Sequence, residues 1–188
     1  KIIEIAFMIM YTLLLNGKRG GIMKKIKIIL LIGVMLIGLV LLTQKEKLII
    51  YTSNIDTGAS ENHSIVSVLK LLPINKKMSH LALKLSNEIF QGKPIVLKEI
   101  VVEEGKKIAY FNLQDKNKDI SSTDNWYSSF QGSTGAQSTL NSIVDTLLQK
   151  EFKGDWIDGI NLTYNGQYIE FDHISFENIV YWRKQKNY

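Results

Sequence analysis

Val96–Leu113 reads VLKEIVVEEGKKIAYFNL. Two runs rich in branched and aromatic residues flank Glu104 and Gly105, and in the second run Ile108, Tyr110 and Asn112 alternate with Ala109, Phe111 and Leu113. Period-two alternation across a short glycine turn predicts a β-hairpin. Upstream, Met78, Leu81, Ala82, Leu85 and Ile89 fall on one stripe of a helix that Gly92 and Pro94 stop. Downstream, Thr134 to Gln137 matches a Thr-x-x-Gln capping box opening a helix that buries Ala136, Leu140, Ile143, Val144 and Leu147. Beyond it, Ile160 to Tyr164 and Gln167 to Phe171 are joined by Asn165-Gly166, the strongest two-residue hairpin signal. Leu48 to Thr52 and Ile65 to Leu72 read as two further strands separated by a polar loop, Asn54 to Ser64. The order ββαββαββ predicts an α+β fold: a small two-layer sandwich, its sheet mainly antiparallel, with two helices on one face. Asp115 to Gln131 is a long polar connection, and the tail from Asp172 keeps Ile174, Phe176, Ile179, Val180 and Trp182, enough for part of it to pack.

The chain has 188 residues, 45% hydrophobic, with a net charge of +5 and no cysteine, which excludes disorder and a disulfide framework. Its basic charge is not spread evenly. Residues 1–47 hold eight Lys or Arg against two acids, whereas residues 48–188 hold 15 basic and 16 acidic side chains. The outer segment therefore lacks the basic surplus that phosphate binding needs, and nucleic acid is set aside as a partner. Ile28 to Leu42 carries no polar side chain, and with its neighbours approaches the roughly 20 residues of a membrane span. Lys24, Lys25 and Lys27 precede it, so the positive-inside bias places the N-terminus in the cytoplasm and the rest outside the membrane. Leu41, Leu42, Thr43, Gln44 and Lys45 lack a small-x-small cleavage pattern, which favours an uncleaved signal anchor over a cleaved signal peptide. The domain reading is thus an anchor over residues 23–47 and an extracytoplasmic domain with its tail over 48–188. Residues 1–22 are read as an upstream in-frame extension before a start at Met23, because Arg-Gly-Gly shortly before a methionine can be spelled by the purine-rich codons of a bacterial ribosome-binding site.

Signals for chemistry are weak. His63, His80 and His173 stand in no His-x-x-x-His or His-Glu-x-x-His spacing, so no metal or cofactor is expected. Glu170 and Asp172 share a strand face beside His173, a pair that could do acid-base work and that an exposed strand end explains equally. Gly132, Ser133, Thr134 and Gly135 lack both the Gly-x-Ser-x-Gly spacing and a P-loop lysine. Trp126, Tyr127 and Phe130 are the candidate interaction surface, as a platform for a partner or a sugar; such residues more often fold back on the core.

Gly132 to Leu148, GSTGAQSTLNSIVDTLL, resembles the core motif of the GerMN domain, a family of sporulation and spore-germination proteins. The most specific matches are Gly132 and Gly135 with Ile143, Val144, Thr146 and Leu147. Leu48 to Ser53, Ile65 to Leu72, Met78 to Pro94, Lys98 to Leu113 and Ile160 to Ile169, with Asn165 and Gly166 in its turn, follow the family's order, so the resemblance covers residues 48 to 172. It implies a non-enzymatic, extracytoplasmic domain that acts by protein contact in a sporulation, germination or cell-envelope complex of a Gram-positive bacterium, with self-association open. The family's founding type is a lipoprotein, whereas no cysteine follows Leu42, Thr43 and Gln44, so anchoring falls to Ile28–Leu42. The alternative is a cell-wall glycan-binding module that uses the Trp126, Tyr127 and Phe130 loop.

Overall fold

The computed structural model describes residues 8, 11–12, 21–117, 122–168, 170–171, 174–175 and 177–183. Two compact units divide it: residues 1–46 with Leu69–Leu71, and Lys47–Val68 with Leu72–Tyr188.

The first unit is dominated by α1, Gly21–Thr43, 23 residues long. Ile28, Ile29, Leu30, Ile32, Met35, Leu36, Ile37 and Val40 are all exposed on it, so beyond the lysines of its first two turns it is apolar around its circumference rather than along one stripe. Among the described residues no helix is long and apolar enough to cross a membrane.

In the second unit the alternating runs become strands as their pattern requires. β1 (Lys45–Ser53, whose first two residues belong to the first unit) and β2 (Ser60–Leu69) form a two-stranded ribbon. The turn between them is shorter than the sequence suggests. Ser60–Ser64 extends β2 although its first four side chains are exposed, so hydrophobic pattern cannot mark it. α2 (Ile74–Ile89) buries Met78, Leu81, Ala82 and Leu85 as the stripe predicts, and its chain leaves through left-handed Gln91 and Gly92. β3 (Ile95–Glu103) and β4 (Lys106–Leu113) pair antiparallel across Glu104 and Gly105, whose φ angles of 48° and 77° are the positive pair of a tight hairpin turn. A bulge between Leu97 and Glu99 guards the outer edge of β3.

The polar connection hides a single turn of helix, α3 (Trp126–Ser129), and α4 (Ser133–Leu148) follows it. β5 (Gly159–Tyr164) then enters beside β4 in parallel, from Ile108 opposite Gly159 to Leu113 opposite Tyr164. Here the expected closing hairpin is corrected. Asn165 and Gly166 do turn the chain, with φ of 49° and 81°, but antiparallel pairing ends at a lone Tyr164–Gln167 bridge. Glu170–Phe171 (β6) pairs instead with Ile174–Ser175 (β7), and the flank of β5 is taken by β8, Val180–Trp182. The four-stranded sheet therefore runs β3-β4-β5-β8, mostly antiparallel with one parallel pair at its centre. The α+β class holds; the linear order ββαββαββ does not.

α2 packs on β3 and α4, and α4 packs on β5. One apolar core gathers Leu48, Ile50, Val66, Met78, Leu81, Phe111, Ile143, Leu147, Ile160 and Leu162. β8 closes over Gly159, where an added Cβ would stand 2.6 Å from Val180 and 3.0 Å from Trp182. Behind it Arg183 Nε donates to Gln149 O at 3.2 Å and Nη2 donates to Phe152 O, a cation at the end of α4 where the free carbonyls lie.

The free edge of β1 is held by helix side chains. Thr146 Oγ1 accepts Tyr51 N–H at 2.9 Å, Ser142 Oγ accepts Ser53 N–H at 3.0 Å, and Gln149 Oε1 accepts Ile49 N–H at 2.9 Å. Ser138 Oγ donates to Ser53 O at 2.9 Å, and Gln149 Nε2 to Ile49 O. Thr146→Val keeps the shape but leaves Tyr51 N–H buried without its acceptor, and Gln149→Ala strips both groups of Ile49. Each is expected to cost about 1–3 kcal/mol. Urea unfolding read from tryptophan fluorescence checks this, with the midpoint lowered and the slope unchanged; an unmoved midpoint for both would mean the ladder carries no stability.

Candidate functional site

The sequence motif lies on α4 and the turn before it. Gly132 sits at φ 74° as the residue before the helix, a conformation that favours glycine, and its carbonyl accepts Ala136 N–H at 2.9 Å. The helix thus starts two residues earlier than a Thr134 cap would set, and no side chain caps it. Gln137 Nε2 instead donates to Asn141 Oδ1 at 2.8 Å, so the expected capping box is absent. A Cβ at Gly135 would meet nothing within 4 Å, so packing does not demand glycine there. Ile143, Val144, Thr146 and Leu147 are buried, the first and last two completely.

The aromatic loop is not a platform. Trp126 and Phe130 are inside the core, at 0% and 1% exposure, and Tyr127 is half-buried against it. Trp126 packs between Phe90, with centroids 5.0 Å apart, and Phe130, at 6.1 Å, while its Nε1 donates to Pro94 O at 3.0 Å. An indole with one face on Phe90 and its N–H already paired has neither ring face nor donor to offer a sugar.

What the structure does bring together is a polar cluster that sequence reading missed, centred on Asp115 just after β4. Its Oδ2 accepts from the Tyr164 hydroxyl and from Asn165 Nδ2 at 3.0 Å, and its Oδ1 accepts Trp126 N–H at 2.9 Å. Asn165 Oδ1 accepts Asp115 N–H at 3.0 Å, and Asn112 Oδ1 accepts Gly166 N–H at 2.7 Å. One carboxylate therefore ties the turn after β5 to the first residue of α3. Burial, the Asp115 hydrogen bond and the Asp115 charge together hold the Tyr164 phenol well above the ordinary tyrosine range.

Beside it, Lys93 is buried at 6% exposure and donates to Ser128 Oγ at 3.0 Å and Ser129 Oγ at 2.6 Å. Burial lowers its pKa; Asp124 and Asp115 oppose that and Lys116 reinforces it. A depressed lysine against serine hydroxyls has the atoms of an activated nucleophile. In this fold its geometry serves position: Ser128 Oγ lies 2.8 Å from Asn125 O, and Thr139 Oγ1 donates to Ser129 O at 2.9 Å, so Lys93 pins α3 between the bend before β3 and the first turns of α4.

His63 and His80 are exposed on β2 and α2; Asp172 and His173 lie outside the described residues, as does the side chain of Glu170. Among the described residues no group of three or more His, Asp or Glu could hold a metal ion. No family model, curated protein or solved structure matches the chain.

Two outcomes check this assignment. Trp126→Ala is expected to lower stability by about 3–5 kcal/mol in thermal or urea unfolding, as an emptied aromatic core site does; unchanged stability would return the ring to the surface. Because the Tyr164 pKa is raised on folding, its contribution to stability is complete below pH 10 and declines as rising pH ionises the unfolded chain. Alkaline titration of tyrosinate absorbance is expected to show a late-ionising phenol in the parent that Tyr164→Phe removes.

Proposed function

We propose that the chain is a membrane-anchored, extracytoplasmic, non-enzymatic interaction domain of GerMN type, serving as a component or assembly factor of a sporulation, germination or cell-envelope complex. The observation that carries this reading is that α1, whose stretch Ile28–Leu42 has no polar side chain on any side, joins β1 through the single residue Gln44. A helix with no polar face is a poor surface for water and a good one for lipid. Lys24, Lys25 and Lys27, in the first two turns of α1 ahead of its apolar run, argue for a cytoplasmic N-terminus and a single pass.

Within the domain the conspicuous polar groups are spent on the fold itself. Asp115, Asn112 and Lys93 each hold neighbouring elements, and the motif residues Ile143, Val144, Thr146 and Leu147 build the core and grip β1. Side chains used this way support a role through surface contact. The glycan-binding alternative loses its basis, since Trp126 and Phe130 are interior.

A fluorescent fusion beginning at Met23, followed through growth and sporulation with crosslinking and mass spectrometry of partners, tests the reading. Enrichment at the engulfing septum with channel components is the expected outcome. Uniform peripheral signal with no sporulation partner would move the role to the general envelope, and diffuse cytoplasmic signal would overturn the anchor.

A further inference from the structure

The exposed leucines that matter most sit where β2 ends. Leu69, the last residue of the strand, is 40% exposed and Leu71, in the turn that follows, is 57% exposed. Both belong to the same compact unit as α1. The link is a backbone hydrogen bond: Lys70 N–H donates to Gln44 O at 2.8 Å. Gln44 is the residue immediately after the last turn of α1, and Lys45 opens β1. Leu69–Leu71 is therefore held beside the point at which the apolar helix gives way to charged chain.

We propose that Leu69–Leu71 is a second membrane contact, an interfacial loop whose leucines enter the headgroup boundary of the bilayer next to the exit of α1. The inference rests on reading α1 as the anchor. Three observations carry it beyond that reading. First, the 2.8 Å bond to Gln44 fixes the loop at the depth of the helix exit, which an unattached surface leucine would not share. Second, Lys45 opens β1 directly after Gln44, so the exit of α1 beside this loop carries an exposed cation of the kind that favours anionic headgroups. Third, the apolar run of α1 is short. About eighteen residues at 1.5 Å each reach about 27 Å, against a hydrocarbon core of about 30 Å. Such a mismatch is met by local thinning of the bilayer, which brings its headgroup boundary toward the helix exit and the leucines of this loop.

These 188 residues hold no cysteine, so single reporters can be placed in the chain without removing any residue of that kind. Leu71→Cys, Leu36→Cys and Glu104→Cys, each labelled with an environment-sensitive fluorophore, are reconstituted into vesicles of phosphatidylcholine and phosphatidylglycerol carrying nitroxide lipids at shallow or deep positions. The label at Leu36 is expected to be quenched by the deep nitroxide and the label at Glu104 by neither. The label at Leu71 is expected to shift to the blue and lose most of its intensity to the shallow nitroxide. A Leu71 label that matches Glu104 while Leu36 is quenched would overturn the interfacial contact and leave the anchor standing. Silence at Leu36 as well would overturn the anchor, and this inference with it.

Discussion

A strand edge satisfied by the side chains of a helix is the constraint on which the second unit depends. β1 has β2 on one side and, on the other, backbone groups that must find partners or water. Ser138, Ser142, Thr146 and Gln149 supply them to Ile49, Tyr51 and Ser53. The match is geometric. Four residues of helix rise about 6 Å, and two residues of strand advance about 6.7 Å, so hydroxyls at i and i+4 meet alternate peptide groups with little distortion. Gln149, at the end of the row, reaches the last pair with a longer side chain from a left-handed residue, φ 48°. These bonds join segments about 85 to 100 positions apart, so the early hairpin acquires its place only when α4 is present.

The parallel pairing of β4 and β5 is the second consequence of where α4 lies. Parallel neighbours need a crossover, and α3 with α4 provides it. The C-terminal ends of the two strands then lie side by side, which brings Asp115, leaving β4, against Asn165, leaving β5. A carboxylate in that position can take the hydroxyl of Tyr164 and the N–H that starts α3 together. The cluster runs from buried Asn112 through half-buried Asp115 to exposed Asn165, and its members are extensively paired with one another. It also explains why the aromatic loop turns inward: Asp115 fixes Trp126 by its backbone, Lys93 fixes the serines after it, and the indole fills the space against Phe90.

Elements governed by local periodicity were legible in the sequence. The stripe of Met78, Leu81, Ala82 and Leu85, the turn at Glu104 and Gly105, and the turn at Asn165 and Gly166 all lie where the residues say. What could not be read is non-local. Nothing near Gln167 reveals that β8 will take the flank of β5, because the decision belongs to Gly159, the residue small enough to let Val180 and Trp182 approach. The loss of the capping box follows from Gly132, whose positive φ starts the helix before Thr134 can cap it. Ser138, Ser142, Thr146 and Gln149 form a visible helical row, yet polar residues at that spacing ordinarily mean a solvated face. Trp126 poses the same ambiguity, since a tryptophan in a polar loop reads alike whether its N–H meets solvent or Pro94 O.

The ladder also bears on how an anchored domain would carry load. α1 ends at Thr43 and β1 begins at Lys45, so tension along the chain from the helix is delivered to β1 within one residue. The bonds from Gln149, Thr146 and Ser142 run across the strand, spaced along it from Ile49 to Ser53. A pull along β1 must shear them together with the pairing to β2, whereas an unladdered ribbon would resist through β2 alone. Thr146, buried and bonded to Tyr51 N–H, stands at the middle of this row. Tension entering β1 from the α1 side would pass through these bonds into α4.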